Sequence, residues 1–207
     1  MNKNLDKRII KTRKLIQSAL TQLMKEKGFD KITVKDITEK AFINRATFYL
    51  HYKDKYDLLE QSENSMLEEI ELLKQGIRKT YHGNFIPIAN PNNIIPFLTK
   101  LYEYISDNSE FMKVILGPNG DLSFQLKLKS SIENFILENA ESNKNINDSN
   151  LPIKYLTVMA SSCQLGVIQK WLEDGMKESP KELACIVSKF IFSVSEGAFK
   201  HKKRDIK

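Results

Sequence analysis

The chain has 207 residues, of which 41% are hydrophobic and 28% charged, a composition typical of folded soluble proteins and unlike disordered or collagen-like chains. No apolar stretch approaches the roughly twenty residues that a membrane-spanning helix needs, and the first residues lack the apolar segment of a secretory signal, so we expect a cytoplasmic protein without a membrane partner. The formal net charge of +6 lies in residues 1–60, because residues 61–207 balance. This asymmetry is typical of a module that binds polyanions such as nucleic acid, although a solvated lysine-rich helix face would give the same charge pattern.

The first predicted helix covers residues 6–27. Apolar residues recur at helical spacing from Ile16 to Leu23. Gly28 follows them, and glycine commonly ends a helix because it adopts the left-handed conformation without strain. The pattern therefore predicts one long amphipathic helix at the start of the chain.

Capping residues predict three further helices in the N-terminal region. Thr33 and Asp36 have the spacing of a capping box, with Asp in place of the usual Glu or Gln, and they begin a short second helix. Asn44 is a suitable N-cap for a third helix and Asp54 for a fourth, whose apolar pattern extends to about residue 79.

Residues 80–93 contain no Lys, Arg, Asp or Glu but include Gly83, Pro87 and Pro91, which predicts a linker or a long loop. A second loop is predicted at 141–150. Since no strand-like alternation appears anywhere, the predicted fold class is all-α. Five more helices are expected, at about 93–107, 109–116, 121–140, 152–174 and 180–199.

The predicted helix at 152–174 is apolar on nearly all sides. Such a helix must be covered from more than one direction, and a second copy of the chain is the simplest cover. The alternative is that this helix lies at the centre of its own monomer. We expect a homodimer, with Leu165 and Leu172 of this helix and Phe190 and Ile191 of the last helix at the interface.

The second and third helices are separated only by Phe42 and Ile43, so they form a candidate helix-turn-helix. The third helix and the residues after it combine Arg45 with hydroxyl, imidazole and ammonium groups around one apolar anchor, Phe48. Arginine can form a bidentate contact with guanine, and the other donors suit phosphate oxygens. His51 could equally be a core or capping residue without a ligand.

The segment TVKDITEKAFINRATFYLHYKDKYDLL (33–59) closely resembles the helix-turn-helix signature of TetR-type bacterial transcriptional regulators. Two later segments, FMKVILGPNGDLSFQLKL and GVIQKWLEDGMKESPKEL, are more loosely similar to the dihydroxyacetone-kinase regulator branch. The residues that carry the main resemblance are Thr33, Ile37, Ala41, Thr47, Phe48, Tyr49, His51, Tyr52, Lys55 and Leu58.

The resemblance implies a three-helix DNA-binding domain at 1–58 and a helical effector-binding and dimerisation domain at 59–207. Its partners would be a double-stranded DNA operator with an inverted repeat, a second copy of the chain and a small-molecule effector that releases a repressor. One departure is Phe42, which stands where the family commonly has Gly and therefore predicts a strained turn. The residues implied to contact DNA are Thr33, Asn44, Tyr49, His51 and Lys55 at phosphates, and Lys35, Arg45 and Thr47 at base edges or nearby backbone.

Two other functions compete with this interpretation. An enzyme is disfavoured because the three histidines have no metal-ligand spacing and no nucleophile or glycine-rich phosphate motif occurs, so neither metal nor cofactor is expected. A helical adaptor or structural dimer that retains the fold without regulated DNA binding is the alternative. For the effector pocket, we expect a lining that includes Tyr104, Phe111, Phe124, Tyr155 and Met159, although aromatic residues at helical spacing are more often core.

Overall fold

The computed structural model describes residues 3–80, 91–118, 120–141 and 152–200, and within these ranges the chain is helical and contains no strand. The predicted all-α class is therefore confirmed, and each predicted helix is present. Most of the residues in the two predicted loops lie outside the described ranges. The helices are α1 (Lys3–Lys27), α2 (Val34–Lys40), α3 (Arg45–Tyr49), α4 (Lys55–Thr80), α5 (Pro91–Asp107), α6 (Ser109–Ile115), α7 (Leu122–Glu141), α8 (Ile153–Glu173) and α9 (Pro180–Lys200).

Local capping determines where several helices begin. At α2, the Asp36 N–H donates to Thr33 Oγ1 (3.2 Å) and the Thr33 N–H donates to Asp36 Oδ2 (2.7 Å), which completes the predicted capping box. At α4, the carboxylate of Asp54 accepts hydrogen bonds from the first two backbone N–H groups beyond Lys55 (2.8 Å each). Before α9, Ser179 and Glu182 form a second reciprocal box.

The first four helices share one apolar core. Five side chains from these helices are completely inaccessible to solvent, and complete burial of each side chain stabilises the fold by about 1.5–3 kcal/mol. Because α3 contributes one of them, the short helix is held by packing as well as by its cap. These residues are Ile16, Leu20, Ile37, Phe48 and Leu58.

The C-terminal helices pack in pairs, α5 against α9 and α7 against α8, while α6 contacts α1, α5 and α8. Polar side chains of α8 fix it to its neighbours: Gln164 Nε2 donates to Tyr102 Oη (2.8 Å), and the Ser161 hydroxyl donates to Glu133 Oε1 (2.9 Å). Helix α4 contacts α5 and α7 and crosses the predicted domain boundary at residue 58 without interruption. A displacement of α4 would therefore reach both parts of the chain.

Helix α8 presents a different face to the core from the one the sequence indicated. Leu172 is only 2% exposed and packs within the core of its own chain, and its place in a dimer interface stays a prediction. Leu165 and Ile191 are half-buried and pack against the core, whereas Phe190 is exposed. Among the described residues, no helix is long and apolar enough to cross a membrane.

Candidate nucleic-acid interface

The turn between α2 and α3 contains a strained residue. Phe42 has φ 54°, in the left-handed region that favours glycine, and its side chain is 95% exposed. The turn is closed by the Ile43 N–H, which donates to the Thr38 carbonyl (3.0 Å). The strain predicted from the replacement of glycine is therefore present, and the helix-turn-helix forms despite it.

Helix α3 has distinct buried and exposed faces. Phe48 and Tyr52 point into the core, and their rings lie 5.8 Å apart. Arg45 and Tyr49 are one helical turn apart and exposed, with Arg45 Nη2 3.5 Å from the Tyr49 hydroxyl, which accepts its hydrogen bond. The guanidinium and the phenol therefore lie together on the outer face.

Two more predicted contact residues also act as caps. The Thr47 N–H donates to Asn44 Oδ1 (2.7 Å), so Asn44 begins α3 as the sequence predicted. Thr33 donates its hydroxyl hydrogen to Asp36 Oδ2 (2.7 Å), and the Lys27 ammonium lies 2.8 Å from the same oxygen. The hydrogen bond from Lys27, followed by those from Thr33, holds the pKa of Asp36 well below its usual range.

Lys35, in the first turn of α2, carries a positive charge that is exposed to solvent. Lys35 is exposed, and its ammonium is 3.8 Å from Glu39, a solvated pair one helical turn apart. Pairs of this kind contribute little to stability, at most about 1 kcal/mol, so the charge of Lys35 is accessible to a ligand. Thr47 is half-buried beside this surface, on α3.

His51 and its neighbourhood are more enclosed than the rest of the interface. Burial and the nearby positive charge of Arg13 lower the pKa of His51, so the imidazole is neutral at neutral pH. Arg13 reaches from α1, with its guanidinium 5.5 Å from the centre of the Tyr52 ring and its Nη2 donating to Gln61 Oε1 (3.2 Å). The sequence did not predict that Arg13 lies near His51 and Tyr52, because it belongs to a helix that is distant from them in sequence.

Lys55 is engaged within the chain. Its ammonium donates to the backbone carbonyls of Phe29 (3.1 Å) and Asp30 (2.9 Å) and lies 4.8 Å from the centre of the Phe29 ring. Lys55 therefore links the start of α4 to a short 3₁₀ turn, Phe29–Lys31, that follows α1. The phosphate contact implied for Lys55 stays a prediction beside this structural role.

The residues predicted to line an effector pocket do not converge. Phe111 and Phe124 are buried in the core, Tyr104 is half-buried on α5, and Tyr155 and Met159 are exposed on α8. The five residues differ in burial and none of them lines the cleft described below, so the aromatic pocket expected from them stays a prediction.

A surface cleft of about 580 Å³ does lie between α4 and α7. It is lined by polar and charged side chains together with Leu126 and Phe135, and Phe135 stacks on Phe97 with ring centres 5.3 Å apart. The Lys74 side chain is part of the cleft lining, and its ammonium donates to the Ser131 carbonyl (2.8 Å). The cleft is thus mixed in polarity, unlike the predicted apolar lining.

Exposed apolar side chains remain on α8 and on α9. They are between 44% and 57% exposed and recur at helical spacing, three on α8 and two on α9. The prediction that α8 is apolar on more than one side is thereby confirmed, and of the four residues expected at a dimer interface, Phe190 is among the exposed ones. The exposed residues are Tyr155, Val158, Met159, Ile186 and Phe190.

Comparison with known proteins agrees with this architecture. A helix-turn-helix transcriptional regulator of Bacillus subtilis (strain 168), YxbF, itself uncharacterized, is 44% identical over 59 residues, which are 28% of this chain and 16% of that protein. The chain spans 16% and 62% of the lengths of two of the curated relatives that it matches.

Two solved structures show that the whole fold is shared. The dihydroxyacetone kinase operon activator DhaS has a TM-score of 0.58 at 19% identity, over 92% of this chain and 99% of that one, as the looser resemblance predicted. The regulator FadR from Bacillus subtilis, solved in complex with stearoyl-CoA, has a TM-score of 0.59 at 15% identity, over 86% of this chain and 97% of that one.

Family models account for both parts of the chain. Residues 16–61 match the model of bacterial regulatory proteins of the tetR family, and residues 92–193 match a TetR-type model described as a transcriptional regulator C-terminal region. The two matches fall on the helix-turn-helix and on the C-terminal helices as the structure arranges them. The chain belongs to the TetR family of bacterial regulatory proteins.

Proposed function

We propose that the chain is a sequence-specific, DNA-binding transcriptional regulator that acts in the cytoplasm as a homodimer and represses until a small-molecule effector releases it. The observation that carries this proposal is the outer face of α3. Phe48 and the Asn44 cap hold the helix rigidly from behind, while Arg45 and Tyr49 remain exposed in front. The role is one of binding, and we assign no catalytic step to it.

The chemistry of this face suits a DNA major groove. The Arg45 guanidinium can donate two hydrogen bonds to O6 and N7 of one guanine, which discriminates between bases by about 1–3 kcal/mol. Lys35 and the hydroxyl groups of Thr33 and Tyr49 are exposed and suit phosphate oxygens. We propose that residues 1–58 form the DNA-binding domain.

The homodimer is proposed from the exposed apolar surface of α8 and α9. Phe190 and Met159 are each at least half exposed, which leaves apolar area in water that a second copy would bury. Two α3 helices related by a two-fold axis would meet successive major grooves. The operator should therefore be an inverted repeat with half-site centres about 34–36 Å apart, or a multiple of that distance.

The test is selection of DNA from a random pool by the full chain, followed by titration of single-base variants of the selected site. We expect an inverted repeat, and we expect Arg45→Ala to relax preference at one base pair in each half-site. Lys181→Ala removes an exposed cation near the start of α9 and should leave specificity unchanged. Selection that yields no consensus sequence would favour the alternative, a helical adaptor or structural dimer.

The effector is proposed to bind the C-terminal helices, within residues 59–207. The cleft between α4 and α7 is the site we favour, because α4 follows the helix-turn-helix and only five residues separate it from the end of α3. The FadR structure contains stearoyl-CoA, so acyl-CoA compounds belong in a thermal-shift screen alongside polar metabolites. A true effector should raise the melting temperature and release bound operator, and Ser130→Trp in the cleft should abolish both effects.

A further inference from the structure

Two side chains on the outer face of α3 are apolar. Leu50 is 81% exposed, and Ala46 is exposed one turn before it. Leu50 caps the helix with helical dihedrals, φ −69° and ψ −21°, so its side chain lies one turn beyond Ala46, on a stripe next to the one that Arg45 and Tyr49 occupy. The outer face of α3 thus has a polar edge, formed by Arg45 and Tyr49, and an apolar edge, formed by Ala46 and Leu50.

The side chain of Leu50 does not belong to the hydrophobic core formed by the described residues. Phe48 anchors α3 from the opposite side and is fully buried, so the helix keeps its place without Leu50. Single exposed leucines are common on protein surfaces, so exposure alone indicates nothing. What distinguishes Leu50 is its position, because it lies on the exposed side of the helix from which Arg45 is proposed to enter the major groove and Tyr49 to contact phosphate.

The major groove presents one apolar feature, the C5-methyl group of thymine. A leucine or alanine side chain that lies against this methyl group removes apolar surface of both partners from water. We infer that Leu50, together with Ala46, reads thymine methyl groups in each operator half-site, beside the base pair that Arg45 contacts. The inference rests on the proposed DNA-binding function and adds a determinant of sequence preference to it.

The test uses the selected operator with its thymines replaced one at a time by deoxyuridine. This change removes the methyl group and leaves base pairing and the O4 acceptor in place. Burial of one methyl-sized group predicts roughly a fourfold loss of affinity for one substituted half-site and roughly fifteenfold for both. The loss should occur at one or two positions of each half-site and be absent elsewhere.

Leu50→Ala should bind the thymine operator more weakly and should no longer distinguish thymine from deoxyuridine at the position that Leu50 reads. Leu50→Met retains an apolar side chain and should keep most of the discrimination. Leu122→Ala removes a leucine that is 67% exposed on α7 and should behave as wild type. Melting curves of all three variants confirm that folding is intact.

Two outcomes would overturn the inference while sequence-specific binding persists. One is a wild-type chain whose affinity is indifferent to deoxyuridine at every position. The other is a deoxyuridine penalty that remains undiminished in Leu50→Ala, which would assign methyl recognition to another residue. A chain that shows no sequence-specific binding at all would instead refute the proposed function, and this inference would fail with it.

Discussion

Glu63 on α4 provides a sharp test of how the fold tolerates a buried charge. Its side chain is 3% exposed, its Oε1 accepts no hydrogen bond from any described residue, and Oε2 lies 4.0 Å from the Lys127 ammonium. Burial is the main cause that raises the pKa of Glu63 to about 7. The negative charges of Asp121 and Glu60 add to this rise, and Lys127 opposes it.

The direction of the pH dependence follows from this pKa. Because the folded chain holds the proton more tightly than the unfolded chain does, ionisation of Glu63 destabilises the fold. The penalty is absent below the unfolded pKa of 4.5, grows as the pH rises, and is complete above about pH 7. A change of this size in pKa corresponds to at most about 3 kcal/mol. Glu63→Gln should therefore be more stable than wild type at alkaline pH and nearly equal to it in acid.

The assay is urea unfolding of both chains at equal protein concentration, from about pH 5 to about pH 8. The difference in the free energy of unfolding between Glu63→Gln and wild type should increase across this range. Glu68→Gln, which removes an exposed carboxyl on the same helix, controls for the general loss of negative charge. A difference that is constant from acid to alkaline pH would refute the reasoning.

Three further predictions concern the turn between α2 and α3, the hydrogen bonds from Lys55 to the 3₁₀ turn, and the dimer. Phe42→Gly should be about 1 kcal/mol more stable to urea than Phe42→Ala, because both variants remove the exposed ring and only glycine relieves the left-handed strain; equal stabilities would contradict that strain. Lys55→Met should lose about 1–2 kcal/mol of unfolding free energy with its two carbonyl hydrogen bonds. Normal melting of this variant would show that the two hydrogen bonds do not stabilise the fold. If Lys55 also contacts phosphate, the variant should lose affinity equally for all DNA sequences. Phe190→Glu should convert the dimer to monomers in light scattering, with Lys189→Glu as the control on the same helix, and a variant that stays dimeric would remove Phe190 from the interface.

Helix positions could be predicted from the sequence because their signals are local. The pairs Thr33–Asp36 and Ser179–Glu182 cap helices through residues three positions apart, and that spacing is visible without a structure. The 3₁₀ turn Phe29–Lys31 was missed because Lys55, some 25 positions later, contributes to holding it. Contacts of this range leave no periodic signal in the sequence.

The orientation of apolar helices was harder to predict. Helix α8 is apolar on several sides, so periodicity cannot distinguish the face that packs on its own core from the face left uncovered. Leu172 and Met159 both fit an apolar pattern, yet the first is buried and the second is half exposed. For the same reason, the sequence could not show that Phe124 is fully buried in the core whereas Tyr155 is exposed.

The DNA-binding residues were predicted by their type and by resemblance, and neither shows which way a side chain points. Arg45 and Tyr49 were expected at the interface and lie on its outer face. Leu50 was overlooked because an apolar residue in a short helix is ordinarily assigned to the core. Only the observed anchoring of α3 through Phe48 shows that Leu50 lies on the exposed side.

The central claim is that the outer face of α3 binds DNA, and the most direct measurement is a fluorescence-anisotropy titration of the selected operator with wild type and Arg45→Glu. The substitution reverses one exposed charge in the first turn of α3, where an acidic residue favours the helix, so melting should be unchanged. We predict that wild type binds with an affinity that falls steeply with salt concentration and that Arg45→Glu loses at least about tenfold in affinity. Binding of Arg45→Glu indistinguishable from wild type would contradict the claim that this face meets the DNA.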